Sequence, residues 1–337
     1  MKNAQRIVFI FLICAILSPI TNADLSGQAL LTEVQETTFD YFWGFAHPVS
    51  GLAREGYQHS SDICTSGGTG MGLMTIVVGV ERGFVTRSAA AGRILQIVSF
   101  LEDNATRYHG AWPHWLNGST GATIPFSTYD NGADLVETAY LIQGVLTARK
   151  YFDGANAVET EIRSRIDRMW EQVEWDWFLN GGDALYWHWS PDYGWQMNMQ
   201  IRGYNETMIA YILAIASPTQ PIPVSCFYDG WAGNNYANGK EFYGFRQWVG
   251  PDLGGPLFFT HYSFLGFDPR NKRDNYCNYF ENNRNIALIH KAYSIANPSG
   301  FVGYGADCWG LTASTNPWGY LAHSPTNDNG TNTHSSG

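Results

Sequence analysis

The sequence predicts an all-α protein built as an α/α toroid, two concentric rings of helices. Segments that are apolar along one side alternate along the chain with segments that are apolar nearly all round, and long loops rich in Gly, Trp and Asn lie between them. A one-sided helix can face water, whereas an all-apolar helix has to be covered on every side. Alternation of the two kinds is therefore what an outer and an inner ring require.

The first outer helix is predicted over residues 25–45 and the first inner helix over residues 70–80. The outer helix carries Leu30 and Val34 on one side, and the inner one reads GMGLMTIVVGV. The Gly-rich run at 66–72 lacks the GK[ST] of a phosphate-binding loop. We expect it instead to let the chain pass closely into the inner helix.

The second pair of helices is predicted over residues 86–101 and 133–152. The former is one-sided, with Thr86 or Ser88 as its N-cap, so we place it in the outer ring. The latter is nearly all apolar after its first turn. We therefore expect it to be an inner helix, covered on all sides.

The third pair is predicted over residues 157–178 and 205–216. The outer member has a single apolar stripe, formed by Ile162, Ile166, Met169, Val173 and Trp177. The inner member, NETMIAYILAIA, is apolar past its start. A further pair is expected at 257–264 and 274–296, and long loops are expected at 104–132, 180–203 and 217–256.

Residues 1–23 read as a cleaved secretory signal peptide, with a basic start, an apolar stretch and a small-residue cleavage site. The mature chain, residues 24–337, is then secreted or periplasmic, and no later run is long enough to span a membrane. Cys14 raises the alternative of a lipoprotein, but the small residue usual before a lipidated Cys is missing. We expect one domain and no membrane association.

Composition excludes several classes of function. The chain is 45% hydrophobic and 15% charged, a composition typical of a folded globular protein. Its net charge is −10, and it lacks the basic surface that binding of nucleic acid requires. The absence of C-x-x-C argues against structural zinc. The cysteines of the mature chain, which permit three pairings, are Cys64, Cys226, Cys277 and Cys308. We expect no cofactor, no metal and a monomer.

Carboxylates stand at the start of the predicted inner helix over 133–152. Asp134 and Glu137 share one face of that helix, and burying an unpaired carboxylate costs several kcal/mol, which favours a position in a cavity. The alternative is a buried ion pair with an arginine such as Arg202. Asp130 or Asn131 is expected to cap the helix.

A second inner helix repeats this arrangement. Glu206 opens the apolar stretch over 205–216, and Asn205 is its expected cap. If the two inner helices run parallel, their first turns lie at the same end of the toroid. Asp134, Glu137 and Glu206 would then meet in one basin and could divide acid and base roles between them.

Aromatic side chains cluster in the long loops. GAWPHW contains Trp112, His114 and Trp115, and YWHW contains Trp187, His188 and Trp189. Flat rings with polar tips suit the apolar face and the hydroxyl edge of a sugar. The alternative is that these rings belong to the core, as most aromatic side chains do.

A dozen segments in order resemble the glucoamylase-like family of exported bacterial proteins, which contains the β-1,2-glucanases of glycoside hydrolase family 144. They include FDYFWGFAHPVSGLAREG, YDNGADLVETAYLIQGVLTARKYFDG, YWHWSPDYGW and RGYNETMIAYILAIASPT, and they span nearly all of residues 39–331. The resemblance implies an (α/α)6 toroid that hydrolyses β-1,2-glucan with inversion. By matching motif it implies Asp134, Glu137 and Glu206 as key acids, with Glu206 as first choice for the proton donor.

Substrate contacts are expected from the aromatic loops and the matching motifs, namely from Trp112, His114, Trp115, Tyr129, Asp130, Trp187, Trp189, Arg202, Asn205, His261 and Trp309. Family members continue beyond the equivalent of DNGT, so we expect the C-terminal helices of the toroid to be missing here. Two alternatives stay open: a glycosidase or transglycosylase acting on another glucan, and a non-catalytic glycan-binding protein.

Overall fold

The computed structural model describes residues 27–233, 236–316 and 319–330, and it is mostly helical. The predicted signal peptide, residues 1–23, lies outside the described residues. Within them, no helix combines the length and apolarity that crossing a bilayer demands.

Eight α-helices lie within the described ranges. They are α1 Gly27–Trp43, α2 Ser66–Glu81, α3 Arg87–Asp103, α4 Leu135–Tyr151, α5 Ala157–Glu171, α6 Met208–Ala216, α7 Phe258–His261 and α8 Tyr279–Ala296. Side chains of Thr86, Asn156 and Asn278 accept hydrogen bonds from the first turns of α3, α5 and α8. Each predicted helix thus has a counterpart, although α7 is only one turn long.

Short antiparallel strands occupy parts of the chain for which no strand was predicted. One sheet contains β1 Ile63–Thr65, β2 Trp115–Asn117 and β3 Thr123–Ile124, in that order. Three two-stranded ladders pair β4 Ala133–Asp134 with β5 His188–Trp189, β6 Glu241–Phe242 with β7 Phe245–Arg246, and β8 Ala313–Asn316 with β9 Gly319–Ala322.

The predicted inner helices pack against one another. α4 lies between α2 and α6, while α1 packs on α2 and α3 packs on α5. The contact between α2 and α4 is close because two glycines face each other: a Cβ on Gly144 would lie 2.1 Å from the carbonyl oxygen of Gly70. Because α2 begins at Ser66, the Gly-rich run at 66–72 forms the start of this helix and does not precede it.

Burial departs from the predicted pattern at three places. Leu30 and Val34 of α1 are about half exposed, and Val78 of α2 is 40% exposed, so α2 is not covered on every side. Trp177 is 42% exposed because α5 ends at Glu171 and a separate 3-10 turn, Trp175–Leu179, carries this ring away from the buried stripe.

Candidate active site

The β4–β5 ladder positions the centre of the site. Ala133 pairs with Trp189 and Asp134 with His188, and the amide of Leu135 donates to the carbonyl of Trp187 over 2.8 Å. Because β4 leads directly into α4, this ladder holds the first turn of α4 beside His188.

Asp134 is fully buried and is the N-cap of α4. Its Oδ1 accepts from the amides of Val136 (3.0 Å) and Glu137 (2.9 Å), and its Oδ2 faces Nδ1 of His114 at 3.1 Å. Burial raises the pKa of Asp134, but the hydrogen bond from His114 and the charge of His188 outweigh it and hold the pKa below its usual value. The predicted cap, Asp130 or Asn131, is therefore wrong.

The predicted alternative of an arginine partner is also wrong. Arg202 pairs with Asp183 at 3.1 Å and donates to the carbonyl oxygens of Asp229 and Gly230. Two histidines take the place expected of the arginine. Nε2 of His188 lies 3.3 Å from Oδ2 of Asp130 and 3.6 Å from Oδ2 of Asp134.

Both imidazoles favour the protonated form. Burial lowers the pKa of His114, but the charge of Glu137 and the hydrogen bond to Asp134 raise it to about 10. Burial likewise lowers the pKa of His188, and the hydrogen bond to Asp130 and the charge of Asp134 reverse that effect. Imidazolium charge therefore compensates the buried carboxylates.

Glu137 is held by the chain just before and inside α2. Its Oε2 accepts from the amide of Gly67 at 2.8 Å and from the hydroxyl of Thr65 at 3.1 Å. A Cβ on Gly67 would lie 2.3 Å from this oxygen, so only glycine leaves room for the carboxylate. Burial raises the pKa of Glu137, the charge of His114 opposes that shift, and the charge of Asp134 adds to it.

Glu206 lies two residues before α6 and has a different environment. Its carbonyl oxygen accepts from the hydroxyls of Tyr140 (3.1 Å) and Ser263 (2.5 Å). Its Oε2 is buried with no hydrogen-bond partner in the described part of the chain, and burial raises the pKa of its carboxyl group to about 7. The predicted cap is wrong here: α6 begins at Met208, and Asn205 instead accepts from Thr207.

Tyr140 connects the two glutamates. It lies one turn after Glu137 on α4, and its hydroxyl binds the backbone of Glu206. Burial raises the pKa of Tyr140 well above its usual value, and the charges of Glu206 and Glu137 both add to that shift. The backbone of Glu206 is therefore tied to α4 one turn after Glu137.

One group of side chains in the described residues has the geometry of a metal site. His114, Asp130 and Asp134 each offer a ligand atom, and these atoms lie within 4.8 Å of one another. A cation would require neutral imidazole, whereas the carboxylates here raise the pKa of both histidines. A cation bound to this group would therefore have to displace a proton from His114.

The predicted sugar-contacting rings have different environments. Trp112 is fully buried, with Nε1 3.3 Å from the carbonyl oxygen of Leu101, so it belongs to the core and its assignment to substrate was wrong. Trp115 packs on Phe126 near His114. Trp187 stacks on His188.

The remaining predicted contacts are spread more widely. Trp189 lies against His109, and Tyr129 is partly exposed against Tyr193. His261 lines a mainly apolar cavity of about 720 Å³. Trp309 lies under Lys291 of α8.

Tyr140 and Gly67 were missed as functional residues in the sequence, and His188 was predicted only as part of an aromatic cluster and not as a partner of the carboxylates. The alternation in YWHW, with His188 between two tryptophans, is a strand-like period that indicates opposite faces for His188 and its neighbours. Tyr140 follows Glu137 at helical spacing. No local signal identifies Gly67 as the donor to Glu137, because the contact joins distant parts of the chain.

Comparisons with known proteins identify the family. Residues 198–336 match the family described as "Putative glucoamylase". An endo-β-1,2-glucanase of Chitinophaga pinensis, solved with sophorotriose and glucose, is 48% identical and superposes with a TM-score of 0.87, over 91% of this chain and 76% of that one. The chain belongs to the glucoamylase-like family.

Two further relatives agree with this assignment. A protein of Bacteroides uniformis with the same family description is 53% identical, with a TM-score of 0.89 over 91% of this chain and 75% of that one. An exo-β-1,2-glucooligosaccharide sophorohydrolase (non-reducing end) of Parabacteroides distasonis is 47% identical over 334 residues, 92% of this chain. The chain spans 46% of the length of that curated relative.

Proposed function

We propose that this protein is a glycoside hydrolase that cleaves β-1,2-glucan by an inverting mechanism, with Glu206 as the proton donor. The single observation that carries the proposal is the environment of the Glu206 carboxyl group. Burial without a partner for Oε2 raises its pKa to about 7, so the group keeps a proton near neutral pH and can give it to a glycosidic oxygen.

Glu137 is the second carboxylate of the proposed pair. Burial holds the pKa of Glu137 above its usual value, and the charge of His114 and the hydrogen bonds from Gly67 and Thr65 oppose that rise. In its ionised form this carboxylate can activate water. Inversion requires the two carboxyl groups to stand about 6.5 to 9.5 Å apart, with room for that water. Asp134 has both oxygens engaged, so we assign it a positioning role.

The substrate assignment is supported by the family. Two relatives, 47% and 48% identical to this chain over the aligned residues, are named for β-1,2-glucan or its oligosaccharides. We further propose that the helices belong to an (α/α)6 toroid, as the packing of α2, α4 and α6 side by side suggests. A product exported through the segment at residues 1–23 would meet such glucans outside the cytoplasm.

The test is product release from a panel of β-1,2-, β-1,3-, α-1,4- and α-1,6-glucans. We expect reducing sugar from β-1,2-glucan alone, and we expect Glu206→Gln to lower kcat by at least about 100-fold, the lower range of general-acid contributions, while binding persists. Glu161→Gln, on the surface of α5, is the matched control and should retain full activity.

Three outcomes would contradict the proposal. Turnover of a different glucan would reassign the substrate, and binding without turnover would indicate a glycan-binding protein. Full activity of Glu206→Gln would remove the assigned proton donor.

A further inference from the structure

An open cavity of about 420 Å³ lies on the surface beside the 3-10 turn that follows α5. Its walls include the rings of Trp177 and Trp195, whose centroids are 6.1 Å apart with an angle of 36° between the planes. Its polar lining consists of Glu174, Asp176, Asn180 and Gln220. The volume lies within the range of small-ligand sites, about 300–1,000 Å³.

The ring of Trp177 is fixed from behind although it is 42% exposed. His109 stacks on it with centroids 4.0 Å apart and planes 12° apart. The imidazole is held in turn by Glu174, through a contact of 2.8 Å between Nδ1 and Oε2 and a 3.0 Å hydrogen bond from the amide of Glu174 to the carbonyl of His109. A ring that is already ordered loses little conformational entropy when a ligand covers it.

The chemistry of the cavity suits a neutral sugar. An indole face matches the apolar C–H face of a pyranose, and carboxylates and amides around it can accept from and donate to ring hydroxyls. The carboxylates of Glu174 and Asp176 disfavour phosphorylated or other anionic ligands.

The cavity is distinct from the carboxylate site. None of Asp130, Asp134, Glu137 and Glu206 is among its lining residues. A row of rings runs between the cavity and the carboxylate site. Trp189 lies edge-on to His109, with ring centroids 4.8 Å apart, and it is the neighbour of His188 in β5. A chain of sugars held at one place could therefore extend toward the other.

We propose that the cavity between Trp177 and Trp195 is a second carbohydrate-binding site, which holds a segment of a glucan chain outside the catalytic centre. The inference rests on the proposed function only for the linkage of that glucan. Such a site raises the affinity for long chains through a second attachment point, and it leaves short substrates unaffected.

Titration calorimetry of glucan binding tests the proposal. All variants also carry Glu206→Gln, so that the glucan is not cleaved during the measurement. We expect Trp177→Ala to weaken binding of polymeric β-1,2-glucan roughly tenfold, the loss typical of an important stacked aromatic, and to leave binding of a β-1,2-linked trisaccharide unchanged. Trp177→Phe should recover part of the affinity. Tyr57→Ala, which removes another highly exposed ring, is the matched control and should bind as the parent does.

The outcomes separate this proposal from the proposed function. Equal affinity of Trp177→Ala and its parent for every polymer of the glucan panel, or no binding of any polymer by the parent, overturns the second site. Loss of polymer affinity in Trp177→Ala, together with no hydrolysis by the unaltered protein, supports the second site and refutes the hydrolase. Equal losses for polymer and trisaccharide would place Trp177 in the main site and overturn its separate role.

Discussion

Asp134 combines two tasks that usually fall to different residues. One oxygen caps α4, and the other faces the histidines that balance its charge. A buried carboxylate without such partners would take up a proton or lose helix-capping strength. The side chain therefore fixes the direction of α4, and with it the position of Glu137, without contacting solvent itself.

His114→Gln should make the protein less stable in a manner that depends on pH. The folded pKa of His114, about 10, exceeds the unfolded value of roughly 6.5, so its charge stabilises the fold fully below pH ~6.5, and that contribution is lost as pH rises through about 10. Asp134 has a lowered pKa, so its contribution is lost as pH falls below its usual range. We expect the free energy of unfolding of His114→Gln to be lower than that of its parent by about 3 kcal/mol near pH 6.

Urea unfolding at several pH values between 3 and 10 measures that deficit. It should be largest near pH 5 to 6.5 and should shrink toward both ends. His59→Gln, which changes a ring packed edge-on against Trp115, is the control and should unfold at the same urea concentration as its parent. A deficit of equal size at every pH would mean that shape, not charge, explains the role of His114.

At the scale of elements, the helices could be predicted because their 3.6-residue period is a local property. The apolar segments α2, α4 and α6, predicted as inner helices, lie side by side, and the one-sided segments α3 and α5 pack on each other. The strands could not be predicted, since segments of two to four residues are too short to show a period. The pairing of β4 with β5 is also non-local, so the sequence predicted Asp134 and Glu137 as site residues but not the contact with His188.

The close contact between α2 and α4 should tolerate no side chain at Gly144. A methyl group there would lie 2.1 Å from the carbonyl oxygen of Gly70, and backbone cannot move aside as a flexible side chain can. We expect Gly144→Ala to lower the free energy of unfolding by about 3 kcal/mol, the upper range for overpacking, and to reduce activity by shifting Glu137 away from Gly67.

Gly92→Ala is the matched control for that substitution. Gly92 lies within α3, and a Cβ on it would meet no atom within 4 Å. The control should therefore gain up to about 1 kcal/mol from the better helix propensity of alanine. Urea unfolding of both variants measures their free energies of unfolding. A Gly144→Ala protein as stable as its parent would show that α2 and α4 can move apart without loss of stability.

At the scale of the whole molecule, the fold does not depend on covalent cross-links between its cysteines. Cys64, Cys226, Cys277 and Cys308 are all unpaired, and the first three are buried in different parts of the chain. The sequence allowed three pairings and gave no means to choose among them. Stability then comes from noncovalent contacts, which include the hydrophobic core in which α2, α4 and α6 take part.

Thiol titration of protein that begins at residue 24, and so lacks Cys14, tests this arrangement. The thiolate is the reactive form, and burial raises the pKa of Cys64 to about 12 and also raises those of Cys226 and Cys277. We expect one fast-reacting thiol in the native protein, the exposed Cys308, and four after unfolding without reductant. Two or no thiols after unfolding would reveal disulfides. Loss of the fast thiol in Cys308→Ser would confirm its identity, and no change in that variant would place the reactive thiol in the core.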